Sequence, residues 1–499
     1  MISFSISLLL LVLGYFLYGR FVDRIFDPDP THATPAISKD DGVDFIAMPA
    51  WKVYMIQFLN IAGTGPIFGA IMGAKFGPAS YLWIVFGCIF AGAVHDYFSG
   101  MLSVRQGGVS LPEIVGAYLG RGARKTILVI TIILLLLVGT VFVYSPALIM
   151  GDIAGDGSRL SIMLWVGLIF IYYVFATLLP VDKIIGRIYP VFAFALLFMA
   201  IALMICLFVK WPHIPEVWNG IGNLGAAKGL QGMSSQQVFP CLFITIACGA
   251  LSGFHATQSP IMARCLPNEK MGRPVFYGAM ITEGMVALIW AAVSSYFFFD
   301  GGAAEVGADL YAAAPIVVTK VSKAWLGVIG GVFAILGVVA APISSGDTAF
   351  RSARLIIADF LKLDQKKARN RLRIAIPLFL ATMLLLWFNV SNENGFNIIW
   401  RYFGWANQSL ACFVLWTITV YLVITRHKSY YILTLIPAAI ITSVCVTYIC
   451  IDKIGFRMPV EWTSSLAVLS FCLSICLFYV WKLRREIGRL KEHFPPEKS

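Results

Sequence analysis

Residues Gln57 to Ala74 read QFLNIAGTGPIFGAIMGA, an apolar run interrupted near its middle by Gly63-Thr64-Gly65-Pro66. Proline has no backbone N–H to give and its ring clashes one turn back, and the flanking glycines resist helical order, so the helix is expected to open here. An opened backbone in hydrocarbon leaves polar groups that must be covered by protein, water or a ligand. The break therefore points to a cavity, with Asn60, Gly63, Thr64 and Gly65 as candidates for binding a substrate. Gly69 and Gly73, four residues apart further along, read instead as a packing face for a neighbouring helix.

The rest of the chain supplies the setting. It has 499 residues, 59% hydrophobic and 13% charged, with a mean hydropathy of +0.82. That is too apolar for a soluble protein. Apolar runs of about twenty residues are the length of membrane-spanning helices rather than of barrel strands, so the fold class is an all-α polytopic membrane protein. The net charge of +12 is spread over short loops rather than gathered on one patch, which argues against nucleic acid. The ten cysteines sit in or beside apolar runs with no paired metal-binding spacing and read as packing residues.

About thirteen spans can be placed. The first, Ile2 to Tyr18, has no basic residue before it and Arg20 and Arg24 after it, the reverse of a secretory signal. Alternate loops carry the Lys and Arg: Arg121, Arg124 and Lys125; Lys183 and Arg187; Arg264, Lys270 and Arg273; Arg351 to Arg373; Arg426 and Lys428; and the tail from Lys482. The opposite set, with Asp152, Asp156, Asp300, Glu305, Asp309 and Glu393, is acidic or nearly neutral. Basic loops face the cytoplasm, so the N-terminus is expected outside and the C-terminus inside. The segment Ala349 to Arg373 mixes apolar and basic residues and reads either as an interfacial helix on an anionic leaflet or as a solvated loop.

A second run is equally unsuited to face lipid. Within Gln236 to Leu266, the stretch Cys248 to Pro260 holds Gly249, Ser252, Gly253, His255, Thr257, Gln258, Ser259 and Pro260, and it too is expected to unwind. The first break falls in the second span and this one in the seventh, so five spans separate them and the two copies point in opposite directions. Five-plus-five inverted repeats with a discontinuous first helix in each half place the substrate near the midplane. In this plan the chain resembles the amino-acid/polyamine/organocation superfamily with its leucine-transporter fold. The expected organisation is an extra helix at 1–24, a cytoplasmic loop at 25–50, a first repeat at 51–210, an outer loop at 211–235, a second repeat at 236–424, two further helices within 425–484 and a tail at 485–499.

Longer motifs narrow the resemblance. NIAGTGPIFGA from Asn60, AGAVHDYFSG from Ala91, SVRQGG from Ser103, LSGFHATQSPIMAR from Leu251, PISSGDTAFRSAR from Pro342 and WRYFGWANQ from Trp400 are together similar to the carbon starvation (CstA) family of bacterial transporters. The resemblance implies an inner-membrane secondary carrier for small peptides or pyruvate-like carboxylates, with no cofactor beyond a coupling H⁺ or Na⁺. It implies a lipid bilayer as setting and no nucleic-acid partner.

On this reading the substrate candidates from the second break are Ser252, Gly253, His255, Thr257 and Gln258. Free N–H groups at half-helix N-termini suit an anionic carboxylate. Asn407 and Gln408 either line the path or tie helices together. In sodium-coupled relatives of the fold, an ion lies between hydroxyls and carbonyls at positions that the resemblance maps to Ala62, Ser344, Ser345 and Thr348. Asp347 offers a proton site instead, or a salt bridge to Arg351 or Arg354. His95 and Asp96, with Arg105 below them, read as a proton-transfer pair or as a lock between helices, and Glu283 as a coupling group or a helix tie. An intramembrane enzyme is disfavoured because no HExxH or nucleophile motif is present. A channel is disfavoured because one chain holds two inverted copies, which suits alternating access.

Overall fold

The computed structural model describes all residues except 43, 155–157, 179–180, 311, 364, 366, 393–394, 427–428 and 494–499. Asp156, Glu393 and Lys428, used above for orientation, lie outside the described residues, as do the side chains of Asp152, Lys183 and Arg187. All described regular structure is helical. Eleven helices are long and apolar enough to cross a membrane, or twelve when Ala50–Ile61 and Gly65–Ala74, bent by 45° at the first break, count as one span.

The second interrupted run, expected as the seventh of about thirteen spans, is not among them. Helical pieces at Val238–Leu242 and Phe243–Thr245 stop before Ile246, and helix resumes only at His255–Ala263. Neither side is long enough to cross alone. The opening also lies earlier than the Cys248 to Pro260 expected from composition. Thr257, Gln258 and Ser259 are helical because their side chains are satisfied locally: Thr257 Oγ1 donates to the Phe254 carbonyl, Ser259 Oγ to that of His255, and Gln258 Nε2 to Thr257 Oγ1.

Burial sorts the helices into a core and a rim. Over its most apolar stretch, Glu269–Phe299 is 89% buried and Ala79–Arg105 78%, whereas Val460–Ile487 is only 6% buried. The outer helices present Leu160, Val209 and Leu469 outward, as side chains facing hydrocarbon do. In the core, Gly330–Leu361 packs between Leu111–Gly151 and Tyr189–Lys210. Gly69 and Gly73 pack as expected: a Cβ on Gly69 would stand 2.9 Å from the Thr245 carbonyl oxygen, and one on Gly73 2.2 Å from Ile246 Cγ1. The first broken helix thus lies directly on the second.

Two sets of loops occupy opposite ends. At one end Met1 and Glu216 pair, Lys210 meets Glu305, and the His213 amide donates to Asp300. At the other, Ile46 and Met48 amides donate to the carbonyls of Arg264 and Cys265, Lys39 reaches Gly107, and Arg426 reaches Phe26. The second end carries Arg105, Arg264 and Arg426. The expectation of an interfacial helix or solvated loop from Ala349 fails at its start, since helix Ala314–Leu361 runs on through it and Arg351 and Arg354 are 0% and 1% exposed.

Arg105 lies below His95-Asp96, at the far end of the helix Ala93–Arg105, and is bound to Glu269, at 3.2 Å. Glu269 is fully buried and also accepts from the Asp29 amide at 2.8 Å and faces His32 Nδ1 at 2.9 Å. This carboxylate therefore ties the loop after the first helix to the core. Removing the charge from such a paired, buried group costs about 3 kcal/mol. Glu269→Gln is expected to make the 27–49 segment cleavable by trypsin in detergent within minutes while the helical core stays intact, read by gel and mass spectrometry; unchanged resistance would show the tie to be dispensable.

Candidate functional site between the two breaks

The two openings meet. A Cβ on Gly65 would lie 2.4 Å from Cys248 Sγ, and Gly249, at φ +90°, would press one against Ala287 at 2.4 Å. A left-handed φ suits glycine because it carries no Cβ to clash. Asn407 holds the second opening: its Oδ1 accepts from the Phe254 amide at 2.7 Å and from Ser252 Oγ at 3.1 Å. Gln408 Nε2 donates to the Phe243 and Leu251 carbonyls. Both amides therefore tie the Gly395–Thr425 helix to the break, the second of the two roles open to them. Gly253 lets that helix approach, since a Cβ there would be 2.3 Å from the Asn407 carbonyl oxygen.

A chain of four ionisable side chains runs across this region, all 0% exposed. Asp96 accepts from both histidines, His95 Nδ1 at 2.7 Å through Oδ1 and His255 Nδ1 at 2.8 Å through Oδ2. The far nitrogen of His255, Nε2, faces Glu283 Oε2 at 3.4 Å. The local backbone explains the meeting. Ala79–Arg105 changes from π-helical over Trp83–Gly92 to α-helical at Ala93. Gly92 packs against the second opening, where a Cβ would come 2.2 Å from the Ala250 carbonyl oxygen, and π-turns commonly mark such functional bends.

The proton count of this chain is restricted. With Asp96 ionised and both imidazoles presenting Nδ1–H to it, His255 Nε2 carries a lone pair, so the opposite oxygen is complementary only if Glu283 holds a proton. Removing that proton leaves two buried carboxylates on one imidazole, and shifting it from Glu283 to His255 Nε2 makes an imidazolium that both carboxylates face. Neighbouring acids and bases of this kind titrate as a unit. The His255–Glu283 contact therefore differs by one proton between a complementary and a repulsive state, at the edge of a broken helix.

The expected ion-site residues form a separate cluster. Ser345 Oγ donates to the Leu59 carbonyl at 2.9 Å, fixing the Gly330–Leu361 helix on the first break. Ser344 and Thr348 hydroxyls donate to carbonyls of their own helix. Asp347 makes no ion pair at 4 Å or less with Arg351 or Arg354 among the described residues; its Oδ2 accepts instead from the Tyr189 hydroxyl at 2.6 Å. Ala62, φ −83° and ψ 49°, ends the first half-helix. Gly63 lies beside it, where a Cβ would be 3.1 Å from Ser345 Oγ.

Several polar atoms near the breaks have no partner among the described residues. These are both amide atoms of Gln57 and Asn60, Thr64 Oγ1, and Oε1 of Gln258 and Gln408. Buried polar groups are normally hydrogen-bonded, which makes these atoms candidates for contact with a solute or water. Gln57, Cys248 and Tyr189 were absent from the sequence-derived set. Gln57 had a signal, three residues before Asn60 on one helix face; Tyr189 and Cys248 had none beyond type.

Buried breaks, an ionisable chain across them and a rim of lipid-facing helices define a membrane transporter. The chain belongs to the carbon starvation protein CstA family, whose model matches residues 1–155, 148–325 and 302–448. It is 45% identical to an uncharacterized membrane protein of Haemophilus influenzae, over 60% of this chain and 91% of that one. It is 28% identical to the peptide transporter CstA of Campylobacter jejuni, over 91% and 80%. It is 29% identical to the pyruvate/proton symporter BtsT of Escherichia coli, over 58% of this chain and 48% of that one. In fold it is similar to a manganese transporter of Eremococcus coleocola, TM-score 0.56 at 12% identity, covering 90% of this chain and 99% of that one.

Proposed function

We propose that the protein is a proton-coupled symporter that imports a small carboxylate, a short peptide or a pyruvate-like acid, by alternating access across the bacterial inner membrane during carbon starvation. On this reading the second interrupted run counts as a span, the seventh of thirteen, spans two to eleven form the five-plus-five inverted repeat, and the N-terminus is outside with the C-terminus in the cytoplasm. The acidic and basic sorting of the two ends supports the orientation.

The observation that carries the proposal is the buried chain His95–Asp96–His255–Glu283, because it lays a titratable group on a helix break. His255 begins the half-helix His255–Ala263, whose first amides already donate to the Ser252, Gly253 and Phe254 carbonyls but whose dipole is positive at that end, so gain of a proton and gain of an anion there favour each other electrostatically. The cargo then lies between the two breaks, against Asn60, Gly63, Thr64, Gly65, Ser252, Gly253 and His255, with Thr257 and Gln258 just beyond and Asn407 and Gln408 bracing the wall. One proton carried inward with a zwitterionic peptide moves one net positive charge, worth roughly 2.3 kcal/mol across about 100 mV, or about a fifty-fold concentration ratio. With a monoanion such as pyruvate the pair is neutral and the pH gradient supplies the drive.

Sodium coupling is the alternative, with the ion held by the Ala62 carbonyl, Ser344, Ser345 and Thr348 beside Asp347. Their hydroxyls are hard oxygen ligands and keep free lone pairs. Uptake of labelled pyruvate and dialanine into proteoliposomes under an imposed pH or sodium gradient separates the readings. Saturable accumulation that follows the pH gradient is expected. Accumulation that follows sodium and ignores pH would reject the proton, and dissipation without accumulation would reject a carrier.

A further inference from the structure

Arg351 and Arg354 lie on one face of the Gly330–Leu361 helix, about 9 and 14 Å along it from Ser345, at 1.5 Å per residue, toward the basic end. Arg351 Nη2 donates to the Ala176 carbonyl and Arg354 Nη1 to Gln365. Arg351 Nε and Nη1 and Arg354 Nε are buried without a partner among the described residues. Among the described residues, the carboxylate within 4 Å of both is that of Asp44. Asp44 Oδ1 stands 3.9 Å from Arg351 Nη1 and 3.8 Å from Arg354 Nη2, too far to hydrogen-bond, and it too has no hydrogen-bond partner among the described residues.

Two guanidinium forks thus converge on a carboxylate they hold without engaging. The neighbouring Arg264 is already occupied, by the Gly108 carbonyl and Asp359. A guanidinium presents parallel N–H donors that match the two oxygens of a carboxylate, and leaving such donors buried and unmet is unfavourable. Asp44 itself sits in the loop between Pro35–Ser38 and Ala50–Ile61. Residues around it meet the helical core through the Ile46 and Met48 backbone bonds to Arg264 and Cys265, both 3.2 Å.

We infer that Arg351 and Arg354 form a second carboxylate site, between the helix breaks and the basic end, and that Asp44 is a tethered carboxylate occupying it in this conformation and giving way to the cargo on release. The inference rests on the reading above that the cargo carries a carboxylate. It goes further by placing a way-station outside the residues assigned to the breaks.

Its test uses the full-length protein in liposomes, with KM for pyruvate and for dialanine measured from each face by counterflow. Removing a competitor and removing the site have opposite signs. Asp44→Asn should lower KM at the face bearing the basic loops about tenfold, and Arg354→Gln should raise it about tenfold, with Arg354→Lys, which keeps charge but loses the fork, in between. The KM at the other face should move much less. Were Asp44 and the arginines only a structural latch, both variants would shift KM in the same direction; that result, or no shift in either, overturns the inference. If Arg354→Gln does not fold, Asp44→Asn decides alone, since an unchanged or raised KM refutes the competitor. Wild-type protein with no saturable uptake of either probe would instead refute the carboxylate-carrier reading.

Discussion

Glu283→Gln is expected to abolish concentrative uptake while leaving exchange running. Glutamine has the shape of a protonated glutamate and cannot release the proton, so the variant imitates one state of the His255–Glu283 contact permanently. Both residues are fully buried and 3.4 Å apart, and Glu283 oxygens have no hydrogen-bond partner among the described residues, so the substitution disturbs little packing. For zwitterionic dialanine under a driving force of about 100 mV, the accumulation ratio should fall from about fifty to about one. Equilibrium exchange of labelled for unlabelled substrate should persist within a few-fold of wild type, and its dependence on pH should flatten. Normal accumulation by Glu283→Gln would remove this chain from the coupling mechanism and turn attention to Asp347 and its Tyr189 partner. Loss of both accumulation and exchange would mean that Glu283 holds the helices together and does not carry the proton.

That experiment depends on a contact no sequence reading could supply. Gly63-Thr64-Gly65-Pro66 announces a break because the cause is local: glycine and proline act on their own backbone, and the helix ends at Ile61. His95, Asp96, His255 and Glu283 were each noticed as ionisable groups in apolar surroundings, but their order in a chain was not. Asp96 and His255 are 159 residues apart, and only the folded helices choose which polar atoms meet. The same limit misassigned Arg351 and Arg354. A basic and apolar mixture reads as a membrane surface when the partner, Asp44, lies in a distant loop. Composition also placed the second opening too late, because it counts hydroxyls as unsuited to a helix when Thr257 and Ser259 satisfy theirs on carbonyls three and four residues back.

Gly65→Val should stop transport without stopping membrane insertion, and a second-site change should restore it. The first Cβ would fall 2.4 Å from Cys248 Sγ and 2.5 Å from its Cβ, so even Gly65→Ala must push the two breaks apart. Overpacking of this sort costs about 1–3 kcal/mol, and a barrier raised by that amount slows transport roughly ten- to a hundred-fold. The displacement would not stay local, because Cys248 Sγ touches Ser252 Oγ at 3.5 Å and Asn407 Nδ2 at 3.7 Å, and these hold the second opening. Cys248→Gly removes both clashing atoms, so in the Gly65→Ala background it should recover most of the lost rate, a coupling of about 1–3 kcal/mol between directly packed sites. Gly63→Ala provides the contrast: its methyl would meet the Phe142 ring at 2.8 Å and should gain nothing from Cys248→Gly. Rescue of Gly65→Ala alone would establish that the two breaks move against each other through this one contact. Equal rescue of both variants, or of neither, would mean that glycine at 65 serves only the bend of its own helix.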